Sequence, residues 1–68
     1  MKFLRYCGQN YDHTGGGALN FDGAFEDLES ATSSDIDQGN WAHIVADNDP
    51  GVILVEWDSV KKGWRVVD

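Results

Sequence analysis

The sequence predicts an α+β fold, with one helix packed on a face of an antiparallel sheet made of an N-terminal strand and a three-strand meander. Two apolar runs, Trp41–Ala46 and Val52–Trp57, flank Asp47-Asn48-Asp49-Pro50-Gly51, a stretch dense in turn formers. Ahead of them, Leu28, Ala31, Thr32 and Ile36 recur at helical spacing. Sixty-eight residues allow only one core, so residues 1–68 are read as one domain.

Each element has its own local reasons. Lys2–Cys7 is a short aromatic-containing run and reads as the first strand. Gly8 to Asn20 reads as a loop, because three consecutive glycines in His13-Thr14-Gly15-Gly16-Gly17 are costly to order. The helix is expected over Leu28–Asp37. Asp27 supplies its N-cap, Glu29 sits where the positive end of the dipole favours it, and Gly39 stops it. Phe21 and Phe25 are expected to anchor the chain as it enters the helix. After the two strands, Asp58–Gly63 is a polar turn and Trp64–Val67 the last strand.

Register then assigns faces. A five-residue first turn sets Ala46 opposite Val52 and Trp41 opposite Trp57, and a six-residue second turn sets Trp57 opposite Trp64. All three tryptophans would form one row, with His43, Val45, Ile53, Val55 and Val66 on the same face, since side chains alternate along a strand. The other face would carry Ala42, Ile44, Ala46, Val52, Leu54 and Val67, with Glu56 and Arg65 toward one end. The small alanines place the helix on this second face. The tryptophan face is left for the Gly-rich loop, a second copy or a partner, the other reading being that the helix and Phe21 or Phe25 bury it as core. A one-residue change in either turn exchanges the faces.

Charge narrows the function classes. The formal net charge is −7, and no Lys or Arg occurs between Tyr6 and Val60. Eleven of the twelve carboxylates fall in that interval. Direct nucleic-acid binding needs a basic stripe to neutralise phosphates, so it is not expected. A partner with a basic surface would be attracted. Acidity alone also keeps a small protein dissolved. One cysteine, Cys7, permits no internal disulfide and fits a reducing compartment. No apolar stretch follows Met1–Tyr6, so neither a signal peptide nor a membrane span is read, and the cytoplasm is the expected location.

Motifs for chemistry are absent from the pattern. The glycine run lacks the Gly-x-Ser-x-Gly of esterases and the Gly-Lys-Ser/Thr of phosphate cradles. Cys7, His13 and His43 lack paired metal-ligand spacing. Asp47-Asn48-Asp49 begins like a calcium loop, but Val52 stands where that loop needs glycine. No catalytic residues, metal or cofactor are therefore expected, and the chain reads as a non-enzyme.

The run Phe21-Asp22-Gly23-Ala24-Phe25-Glu26-Asp27-Leu28-Glu29-Ser30-Ala31, followed by Trp41-Ala42-His43-Ile44-Val45, resembles short orphan proteins encoded by bacteriophages. The resemblance spans roughly residues 15–55 and assigns no residue a role. It departs from the pattern at Ser30, where glutamate is more usual, and at Ala46 before the turn aspartate. Its implication is context: such proteins often act on host proteins in the bacterial cytoplasm, and some inhibit defence systems such as CRISPR–Cas. The expected function is an acidic protein-binding module, an inhibitor of a host nucleic-acid-handling or defence complex that imitates phosphate. A homodimer closing on the tryptophan face and a small-molecule sequestering protein are the alternatives. The binding residues expected are Trp41, His43, Trp57 and Trp64 on the sheet and Glu26, Asp27, Glu29, Asp35 and Asp37 on the helical segment.

Overall fold

The computed structural model describes residues 1–9 and 18–67, so the His13–Gly17 loop lies outside the described residues. Five strands form one antiparallel sheet: β1 (Phe3–Gln9), β2 (Phe21–Phe25), β3 (Asn40–Ala46), β4 (Asp49–Asp58) and β5 (Gly63–Val66). Their order across the sheet is β2-β1-β3-β4-β5. Among the described residues, one helix, α1 (Leu28–Ala31), lies between β2 and β3 in the chain, and a single 3-10 turn, Ala18–Asn20, precedes β2. The N-terminal strand, the meander and the helix-on-sheet packing are as the sequence predicts. Among the described residues, no helix is long and apolar enough to cross a membrane.

Two elements differ from expectation. Phe21–Phe25 is an edge strand paired with β1, not merely a lead-in to the helix. Its central Gly23 hid it, because glycine is depleted in strands. Gly23 has φ +156°, which L side chains rarely adopt, and a Cβ there would meet the Phe25 ring at 3.1 Å. The pairing carries a bulge between Arg5 and Tyr6 at this point.

The helix is also far shorter than Leu28–Asp37. Asp27 caps it as expected, accepting a hydrogen bond from the Ser30 N–H at 2.7 Å. At the other end, hydroxyls bond back to the helix carbonyls: Thr32 to Leu28 at 2.8 Å and Ser33 to Ser30 at 2.8 Å. Such local bonds compete with further helical turns. Gly39 does not stop the helix but shapes a later turn. Its φ of 88° fits the third position of a type II turn closed by the Asn40 N–H donating to the Asp37 carbonyl.

The core lies between α1 and the sheet. Ala31, Ile44 and Val55 are its buried centre, with Phe3, Phe25, Leu28, Leu54 and Trp64 packed around them. Ala42 and Ala46 are buried on this same face, which is the face expected to carry the helix, but α1 packs over β1 and β2 and not over the alanines of β3.

The tryptophan row does not form. The β3–β4 turn is Asp47-Asn48, and Asp49 already pairs with Ala46. Val45 next pairs with Ile53, which leaves Pro50, Gly51 and Val52 without partners on β3. Ile44 then pairs with Val55, so Leu54 is unpaired too. Proline and glycine are tolerated here because they fall in an irregularity and not in a regular ladder. The result is His43 opposite Glu56, one residue away from the Val55 partner that the simple turn gives. From Val55 onward the side chains of β4 and β5 are therefore on the opposite face from that expected. Val55, Trp57, Trp64 and Val66 share the helix side, while Glu56 and Arg65 join His43 and Trp41.

Candidate functional site

The α1–β3 loop and the β4–β5 turn meet at one end of the helix side. Trp57 pairs with Trp64 as expected, and their rings make an edge-to-face contact with centroids 5.5 Å apart. The Trp64 indole N–H donates to the Ser34 carbonyl at 3.1 Å, which ties the loop to the sheet. Between them lies a cavity of about 160 Å3. Asp35, Ile36, Gln38 and Gly39 line it from the loop, and Trp57, Ser59 and Lys62 from the hairpin.

The hairpin turn is built to a specific shape. The Asp58 carboxylate accepts the N–H groups of Val60 and Lys61 at 3.0 and 3.1 Å. These bonds, first that from Lys61, hold its pKa below the usual aspartate value. Lys62 follows with φ 56°, a left-handed conformation that favours glycine. The hairpin thus places a lysine at the cavity wall at some backbone cost.

The expected carboxylates divide into two groups. Glu26 forms an ion pair with Lys2 at 2.6 Å, and this hydrogen bond is the main cause of its lowered pKa. Asp27 is occupied by its cap, whose backbone bond from Ser30 lowers its pKa likewise. Glu29, Asp35 and Asp37 form no ion pair among the described residues. Among the described residues, three of the five Lys and Arg side chains are engaged with carboxylates, as Lys2–Glu26, Arg5–Asp22 and Arg65–Glu56.

Trp41 and His43 lie on the other side of the sheet, away from the cavity. Their rings stack with centroids 5.3 Å apart, and Tyr6 approaches His43 at 5.7 Å and Phe21 at 5.7 Å. Trp41 packs tightly over Gly8, where an added Cβ would lie 2.9 Å from the indole. Burial lowers the His43 pKa, with the opposing Glu56 pulling it the other way, so the ring is neutral at neutral pH. The nine expected binding residues are thus spread over two faces, and a homodimer closing through all three tryptophans has no common surface to use.

Cys7 is a free, partly buried thiol whose pKa is raised, chiefly by burial. Among the described residues, no three His, Cys, Asp or Glu side chains are grouped to hold a metal. Ile36, Gln38, Ser59 and Lys62 are lining residues that the sequence reading did not single out. Ser59 and Lys62 are signalled by the polar turn Asp58–Gly63 beside a tryptophan, whereas Ile36 entered only through the helical stripe and Gln38 carries no signal. Comparison with known protein families, curated proteins and solved structures finds no match for this chain.

Proposed function

We propose that the domain is a protein-binding module whose partner presents a basic surface. The observation that carries this reading is the placement of uncompensated charge. Residues 26–37 hold five carboxylates and no base, and three of them, Glu29, Asp35 and Asp37, are left outside the ion pairs among the described residues. An exposed acidic segment of this kind steers a basic partner and sets register more than it supplies bulk affinity. An exposed acidic segment without bases also suits imitation of a phosphate backbone. This supports the finer reading of an inhibitor that occupies a basic nucleic-acid channel in a bacterial host's cytoplasm.

The test is capture from cell lysate by the immobilised domain, compared with the Glu29→Lys, Asp35→Lys, Asp37→Lys triple variant. Glu26 and Asp27 are left intact because they hold the fold. The reading expects partners that elute as salt rises, since screening shortens to about 3 Å at 1 M, and that the triple variant fails to retain. Equal retention by the variant, or elution indifferent to salt, overturns it.

A further inference from the structure

The geometry points to the cavity beside Trp57 as a socket for one arginine side chain of the partner, an inference that rests on the basic-partner reading above. Volume decides what kind of occupant fits. At about 160 Å3 the cavity is close to the roughly 150 Å3 that accepts a benzene-sized group. It is well below the roughly 300–1,000 Å3 of pockets that enclose drug-sized ligands. One side chain fits where a nucleotide does not. An exposed charge pair contributes little by itself, so the socket suits a side chain presented by a larger surface better than a free small molecule.

Chemistry decides which side chain. Trp57 offers an aromatic wall and Ile36 an apolar one for a methylene stem. Asp35 supplies an anion, while Gln38 and Ser59 add oxygen acceptors. A guanidinium is planar, weakly hydrated and rich in donors, and it stacks on indole. An apolar side chain would leave Asp35 without a partner, and an acidic one meets both Asp35 and the net charge of −7. Lysine satisfies Asp35 but lacks the plane that stacks. Lys62 is the discordant member of the lining, since its ammonium repels an arginine. That discord gives the inference a sign: removing the Lys62 charge tightens an arginine and weakens a carboxylate.

The experiment follows the indole N–H signals of the full chain by NMR during titration with acetyl-glycyl-arginyl-glycinamide, with the glutamyl and lysyl equivalents as comparators. The Trp57 signal is expected to shift saturably with the arginyl peptide while Trp41 stays in place. The dissociation constant should be on the order of millimolar, as for a single small anchor. Asp35→Asn should weaken it about threefold and Lys62→Gln tighten it about twofold. Both positions are exposed, and retained dispersion of the indole signals shows that each variant is folded. An unmoved Trp57, tighter binding of the glutamyl or lysyl peptide, or weakening by Lys62→Gln overturns the socket. If the socket fails while the triple charge variant still loses its partner, the basic-partner reading stands alone. If the arginyl peptide binds as expected but capture is indifferent to charge, the socket stands and the basic-partner reading falls.

Discussion

Arg5 joins three elements through one guanidinium. It pairs with Asp22 at 2.7 Å, donates to the Ala31 carbonyl at 2.9 Å and to the Ser34 hydroxyl at 3.2 Å, and lies 4.7 Å from the Phe25 ring centre. The Ala31 bond satisfies a carbonyl that the short helix would otherwise leave open. Arg5→Leu should therefore destabilise the domain by about 2 kcal/mol, the scale of lost charge-assisted hydrogen bonds, measured by urea unfolding. The sequence marks Arg5 only as a cation near one end, because its partners are far along the chain. Lys62 makes the opposite case. Relief of its left-handed backbone, offset by the added freedom of an unfolded glycine, should make Lys62→Gly more stable by about 0.5–1 kcal/mol. Thermal unfolding should rise by a few degrees, about 4–8 °C per kcal/mol in a domain of this size.

At the scale of elements, strand identity was legible and strand register was not. Trp41–Ala46 and Val52–Trp57 announce themselves by alternation and by the turn residues between them. Nothing in that turn tells that Asp49 pairs with Ala46 while Pro50, Gly51 and Val52 bulge out. The unpaired Leu54 shifts the ladder once more, and that is enough to move Trp57 across the sheet. The second hairpin was legible because its turn is regular, and Trp57 does face Trp64. The helix was overextended for a related reason: Ile36 continues the stripe, but the Thr32 and Ser33 hydroxyls end the turn before it. A double-mutant cycle separates the two arrangements. Trp57 and Trp64, each changed to leucine, should show a coupling of about 0.5–1.5 kcal/mol, the range of edge-to-face pairs. Trp41 and Trp57 should be additive, as residues on opposite faces of a sheet are.

For the whole molecule, charge and pH are linked. The folded His43 pKa lies below its ordinary 6.5, because burial disfavours the charged ring. The unfolded chain then binds the proton more readily, so this contribution is complete above pH 6.5 and is lost as pH falls through the folded value. Glu26, Asp27 and Asp58 have lowered values and add stability above the ordinary 4.5 and 3.8, lost on further acidification. Relief of repulsion within a chain of net charge −7 opposes both trends. A comparison of variants removes that shared background. His43→Gln should show a flatter fall in melting temperature between pH 7 and about pH 5.5 than the parent, measured by calorimetry. The acidity that suggested a basic partner was fully legible in the sequence. Which carboxylates remain outside ion pairs was not, since that depends on Lys2, Arg5 and Arg65 reaching across strands.

The socket depends on Trp57 lying on the helix side, apart from Trp41 and His43. A proton NOE spectrum of the domain tests this most directly. Cross-strand contacts are expected between His43 and Glu56, and Trp57 indole contacts with Trp64 and with Ile36 across the cavity. Contacts between His43 and Val55, with Trp57 facing Trp41, would restore the single tryptophan row and remove the socket.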